Sequence, residues 1–268
     1  MVETREQDRT RVWTGPLPDR VQLFVTCLVD QFKPEVGESV VNVLERLGVQ
    51  VDFPEGQTCC GQPAFNSGFQ KDAQSVALRF IEAFEDAGEG VPVVVPSGSC
   101  GAMVRVFYED LFANDPANLA RARRLAERVW EFSEFLVDVL GVTDVGGAWP
   151  GKVTYHQCCH LLRELHVDRQ PRTLLDNVEG LGVEEMEKAE VCCGFGGTFS
   201  IKFPEISTGM MNEKLDCAAR TGAKTMIAGD TGCIMHMVGG LRRRGSDMQI
   251  LHLAQLLDQA CSGERGTD

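Results

Sequence analysis

The stretches VQLFVTC (residues 21–27) and KVTYHQCC (residues 152–159) decide the fold. Each is an apolar, β-branched run that stops on a thiol, as a buried strand does when it delivers a side chain from its carboxyl end. Outward from them, the same words recur at a near-constant offset. TCCGQPAFNSG (58–68) matches VCCGFGGTFS (191–200), and VPVVVPSGSCGAM (91–103) matches KTMIAGDTGCIMH (224–236). Cys27 and Cys159 are 132 residues apart, and Cys59, Cys60 and Cys100 each precede Cys192, Cys193 and Cys233 by 133. Four coincident positions make an internal repeat.

Between the cysteines lie helix and strand patterns. Val40, Val41, Leu44 and Leu47 fall at helical spacing with Gly48 as a stop, and Val49, Val51 and Phe53 alternate as a strand. Ala73, Val76, Ala77, Phe80, Ile81 and Phe84 share one face of a helix predicted over 70–87, and Ile206, Met210, Lys214, Leu215 and Ala218 share its counterpart over 205–221. Each half is expected to close with an apolar helix, VWEFSEFLVDVL (129–140) and ILHLAQLLDQA (250–260). The order strand, helix, strand, CCG turn, helix, strand, Cys turn, helix implies parallel sheets with right-handed crossovers. The expected fold is α/β: two pseudo-repeated Rossmann-like parallel-sheet halves with metal sites at the strand C-terminal ends. Residues 1–18 read as a flexible N-terminal extension, 19–142 and 151–261 as the two repeats, and the Gly/Pro-rich segment 143–150 as a linker.

A net charge of −13 argues against a nucleic-acid or anionic-membrane surface, since binding phosphates needs Lys and Arg to displace counterions. The one basic run, Arg242-Arg243-Arg244, reads as a solvated helix end. No run of 18 apolar residues predicts a membrane span. The charged start MVETREQDRTRVWTGPLPDR has no apolar core of a secretory leader, so a cytoplasmic location is expected. In that reducing compartment the 11 cysteines are expected as metal ligands or catalytic groups rather than disulfides.

Four thiolates converging at one sheet end suit a [4Fe–4S] cluster, and soft thiolates also take zinc, so spacing leaves both metals open. The adjacent Cys-Cys-Gly suits a cluster better than the short knuckles of structural zinc. Gly61, Gly194, Gly196 and Gly197 would let backbone N–H groups approach thiolate and sulfide. A dinucleotide loop is a poorer reading of GFGG, which lacks the G-x-G-x-x-G pattern. Redox dithiols at Cys59-Cys60 and Cys192-Cys193 are a further alternative, one that leaves Cys27, Cys100, Cys159 and Cys233 without a role. Cys158, opposite Thr26 in the repeat, is either a fifth ligand or a neighbour, and Cys217 and Cys261 read as packing or exposed thiols. His156 and His160 flank the second site. His156 and His236 are candidates to contact a cofactor there, and Met103, opposite His236, reads as core.

These halves, C-x31-CCG-x38-C-x-x-M and C-x32-CCG-x38-C-x-x-H, resemble the duplicated cysteine-rich CCG-domain family. That family includes the cysteine-rich component of heterodisulfide reductase, the glycolate oxidase iron–sulfur subunit and the lactate utilization A group. FVTC, CCGQPAFNSG, PSGSC, VCCGFGGTFS and LHLAQLL are most similar to the last group, over about residues 21–258. The resemblance implies an iron–sulfur component of an L-lactate oxidation system that works with lactate utilization proteins B and C. Peripheral membrane association would come through such partners. It implies one cluster on Cys27, Cys59, Cys60 and Cys100 and another on Cys159, Cys192, Cys193 and Cys233, up to two in all, with zinc open for one site. The heterodisulfide reductase relative ends each repeat in C-x-x-C. Met103 and His236 stand at those places here, which sets a noncubane cluster and heterodisulfide chemistry in doubt. Two alternatives stand beside electron transfer: a disulfide- or thiol-handling reductase subunit, and a zinc-stabilised scaffold. Hydride abstraction from lactate is expected to fall to another subunit.

Overall fold

The computed structural model describes residues 11–85 and 90–263. Residues 1–10 of the expected extension lie outside them. Arg11 and Trp13, by contrast, are docked: Arg11 lies 4.0 Å over the Trp130 ring and donates to the Val129 carbonyl at 2.8 Å, while Trp13 packs edge-on against Trp130.

Each half holds one all-parallel four-stranded sheet. In the first, β1 (Arg20–Leu23), β2 (Gln50–Asp52), β3 (Val93–Val95) and β4 (Val129–Glu131) lie in the order β2-β1-β3-β4. In the second, β5 (Ala148–His156), β6 (Glu179–Val183), β7 (Thr225–Ala228) and β8 (Gln249–His252) repeat it as β6-β5-β7-β8. Val94 pairs with Trp130, and Ile227 with both Tyr155 and Leu251. The strand order reverses between β1 and β3 and again between β5 and β7, the place where open α/β sheets build their sites. β5 begins at Ala148, inside the segment read as linker.

The two expected closing helices are corrected. Their first residues are the fourth strands, β4 and β8, and helix begins only at Phe132 and Leu253. A short apolar run fits strand and buried helix equally, and here pairing with β3 and β7 decides between them. Reciprocal caps mark each junction: Glu131 with Glu134, and His252 with Gln255.

One central core spans both halves, uniting Val21, Val40, Leu44 and Phe135 with Tyr155, Leu174, Leu253 and Leu257. Helix Pro34–Arg46 packs on helix Leu253–Ser262, and helix Arg169–Asp176 packs on 132–139. The ion pairs mirror this arrangement: Arg46 meets Asp258 at 3.1 Å and Arg169 meets Asp138 at 2.6 Å. Separate outer cores sit on the far side of each sheet. Arg242–Arg244 end helix Thr231–Arg244, as read from the sequence, with Arg244 paired to Asp216 at 2.6 Å.

Candidate metal centres

Both sets of thiols lie just beyond the carboxyl ends of strands. Cys27 opens helix Cys27–Phe32 after β1, Cys59 and Cys60 follow β2, and Cys100 sits in the first turn of helix Gly98–Ala102 after β3. The second half repeats this with Cys159 after β5, Cys192 and Cys193 after β6, and Cys233 after β7. Cys27 Sγ lies 3.6 Å from Cys59 Sγ, and Cys60 contacts both Cys59 and Cys100. In the second set Cys159 and Cys192 are 3.9 Å apart and Cys193 and Cys233 3.1 Å. Cys60, Cys193 and Cys233 are buried, the others half-buried. A cavity of about 240 Å³ opens beside Cys27 and Cys59, lined by Asp30, Gln31, Phe53 and Gln57.

One thiol in each set is poised to carry charge. Cys59 is held well below the usual thiol range by the side chains of Cys27 and Cys60 and then by the Gly61 N–H. Cys192 is held low likewise by Cys159, Cys193 and the Gly194 N–H, which lies 3.3 Å from its sulfur. Their partners Cys27, Cys60, Cys159 and Cys193 are pushed up, each chiefly because its own S–H is engaged by the neighbouring sulfur. Glycine is required where the amide turns in. Gly194 has φ 89°, and a Cβ there would lie 2.7 Å from the Ser207 carbonyl oxygen. Gly61, at φ 87°, has the Ala73 carbonyl at 3.1 Å. Gly196 and Gly197 also take positive φ in the following turn.

The remaining candidates separate. The donor atoms of His156, Cys193 and Cys233 all lie within 4.8 Å of one another, and all three residues are buried. Neither ring nitrogen of His156 makes a hydrogen bond of normal geometry, and burial pushes its pKa down to about 4. Cys158 is buried and contacts Cys233. His236 instead meets Ser207 Oγ at 3.3 Å and the Phe195 ring. His160 stands 3.8 Å from Cys159 Sγ. Met103 is core, as read; Cys217 is buried in its helix, and Cys261 donates to the Gly146 carbonyl at 2.9 Å.

The model of the CCG cysteine-rich domain matches residues 21–105 and again 153–238. This chain belongs to the CCG cysteine-rich domain family. Among its relatives, lactate utilization protein A 1 of Bacillus cereus (strain AH820) is 47% identical over 239 residues, 89% of this chain and 98% of the relative. Lactate utilization protein A of Bacillus thuringiensis (strain Al Hakam) matches to the same extent. In fold, the chain is similar to a hypothetical protein from Helicobacter pylori, with a TM-score of 0.63 at 12% identity over 94% of this chain. It spans 50% of that structure's chain.

The two CCG repeats differ beneath their thiols. Phe24 and Phe80, rings 4.5 Å apart, underlie the first set. His156 stands 132 residues after Phe24. Lys214 stands 134 after Phe80, an offset at which Ala73, Ala77, Phe80, Ile81 and Phe84 all land on buried residues. The aromatic pair has become an imidazole and an ammonium. Lys214 is only 2% exposed and donates to the carbonyls of Ala189, at 3.0 Å, and Lys188. Reading Lys214 merely as part of a helical stripe missed this, although its repeat partner Phe80 was there to compare. The donors fit an iron–sulfur group: four thiols per set, no carboxylate among them, and backbone amides turned toward sulfur.

Proposed function

We propose that the chain is an iron–sulfur electron-transfer subunit of an L-lactate oxidation system, lactate to pyruvate. The observation that carries this reading is the pair of four-thiol sets at equivalent strand ends, with Cys27, Cys100, Cys159 and Cys233 on helices that touch across the two halves. Helix Gly98–Ala102, with Cys100, packs on helix Cys159–Arg163, and helix Cys27–Phe32 meets helix Thr231–Arg244, with Cys233. Cys27, Cys59, Cys60 and Cys100 would hold one [4Fe–4S] cluster, and Cys159, Cys192, Cys193 and Cys233 the other. Such clusters supply reversible one-electron transfer, tuned by burial and hydrogen bonds to sulfur.

The protein's own groups prepare for that. Cys59 and Cys192 offer the thiolates, the amides of Gly61 and Gly194 stabilise their charge, and the buried thiols keep one side of each set from water. The substrate assignment rests on the relatives named for lactate utilization. The reading places the chain in the cytoplasm with lactate utilization proteins B and C, or equivalent redox subunits. No helix among the described residues is long and apolar enough to cross a membrane, so membrane contact would come through such partners.

A second reading, zinc in the second set, is favoured by the buried grouping of His156, Cys193 and Cys233. Iron, zinc and acid-labile sulfide analysis of anaerobically purified protein separates the two. Iron and sulfide at both sets, with a reducible EPR signal, supports electron transfer. Zinc without sulfide at both sets overturns it. Cys59→Ser and Cys193→Ser are each expected to remove one cluster and keep the other.

A further inference from the structure

Asp230 lies between the two sets and belongs to neither. It is the N-cap of the helix that carries Cys233, and its Oδ1 accepts from the amides of Gly232, at 3.0 Å, and of Cys233 itself, at 3.3 Å. Its Oδ2 points into the other half, where it accepts from Ser97 Oγ at 3.0 Å and the Ser99 amide at 2.9 Å. Ser97 in turn is the N-cap of the helix that carries Cys100, and its Oγ accepts from the Cys100 amide at 3.4 Å. Ser97 and Asp230 are 133 residues apart, as Cys100 and Cys233 are, so they occupy equivalent places in the repeat. The duplicated caps have met across the interface and bonded to each other.

The knot is tight and dry. Asp230 and Ser97 are each 4% exposed, and the Gly98 amide donates to the Gly229 carbonyl at 3.2 Å. Gln62, two residues after Cys60, ties the first CCG turn in through a 3.0 Å bond to the Ser99 carbonyl. Four donors share one carboxylate, and none of them is a cation. A buried carboxylate so placed costs desolvation unless every donor stays aimed at it, so it fixes both helix starts together. A serine at this place would still cap its own helix, but one hydroxyl oxygen cannot accept from all four of these donors, two of them in the other half.

We infer that Asp230 is a shared positioning residue for the two thiol sets, so that changing it alters the first set, whose ligands are 130 or more residues away in the chain. The inference concerns the thiol sets themselves and holds whether they carry iron–sulfur clusters or zinc.

The test uses Co²⁺ as the probe, added anaerobically to the reduced, metal-free full chain and followed by its thiolate charge-transfer absorption. In a Cys192→Ser/Cys193→Ser background, which leaves only the first set complete, Asp230→Ser is expected to weaken Co²⁺ binding about tenfold, the loss of roughly one hydrogen bond's worth of preorganisation. Unchanged first-set affinity would overturn the inference. The exchange variant Ser97→Asp/Asp230→Ser returns a carboxylate to the knot from the opposite cap. It is expected to recover most of the affinity with the wild-type near-UV circular dichroism, and an exchange that folds but recovers nothing also overturns it. Iron and sulfide analysis of the wild type reports separately on the electron-transfer reading.

Discussion

Gly194→Ala puts the geometry of the second CCG turn to a quantitative trial. The backbone there has φ 89°, a region in which an alanine costs on the order of 1 kcal/mol. The new methyl would also meet the Ser207 carbonyl oxygen at 2.7 Å and Met210 Cβ at 2.9 Å. Neither is the free end of a flexible side chain, so the turn must move, and overpacking of this kind costs about 1–3 kcal/mol. Together these give a loss of about 2–4 kcal/mol, or about 4–16 °C in Tm at about 2–4 °C per kcal/mol for a chain of this size. Gly197→Ala is the control: its φ of 59° is also positive, but a Cβ there meets nothing within 4 Å. It should cost only the backbone penalty, about 1 kcal/mol and about 2–4 °C. Differential scanning fluorimetry of the metal-free chains reads both. Because the turn carries Cys192 and Cys193, Co²⁺ titration should show the second set impaired and the first intact in Gly194→Ala. If both variants melt together and the second set binds Co²⁺ normally, the close approach at Gly194 is not what holds the thiols.

Lys214→Met removes the buried ammonium beneath the second set and leaves the Lys188 and Ala189 carbonyls without their donor. It is expected to cost about 1–3 kcal/mol in urea denaturation. With clusters bound as proposed, it should make the second one's potential in potentiometric EPR more negative and leave the first unmoved; an equal shift at both would count against this placement of Lys214. Glu131 is buried, and desolvation pushes its pKa up from 4.5 to about 7. The folded state therefore binds the proton more tightly than the unfolded one, and this group takes stability away as pH rises from 4.5 to about 7, on the order of 3 kcal/mol in all. Glu131→Gln should flatten the fall in Tm between pH 5 and 8, and a parallel pair of profiles would show that the carboxyl is already ionised in the fold.

The thiols and the sheets were legible because the repeat prints them twice. VQLFVTC and KVTYHQCC mark strands ending on a thiol, and β1, β5 and the cysteine turns stand where those words predict. β4 and β8 were not legible, since VWE and QILH continue without a break into apolar helices and only partners on β3 and β7 tell strand from helix. Glu131-x-x-Glu134 and His252-x-x-Gln255 were the local trace of the junction, but Glu and His are unusual first members of a capping box. Contacts between halves were hidden altogether. Asp230 and Ser97 look like ordinary N-caps, and nothing local says that each cap faces the other. The distinction between His156, set among thiols, and His236, set against Ser207, likewise depends on which way a strand end and a helix face point.

The mirrored packing of the central helices bears on how far the two halves can differ. Neither half can cover the face of its own inner helices: Leu44 needs the helix that bears Leu253 and Leu257, and Leu174 needs the one that bears Phe135. One such repeat by itself would need a second copy to cover those faces, and a symmetric pair would force identical residues on both thiol sets. With both repeats in one polypeptide that constraint is absent. Thr26 and Cys158, Phe80 and Lys214, Ser97 and Asp230 are pairs that a homodimer could never have told apart. The linkage at 143–147 is what allows one thiol set to differ from the other.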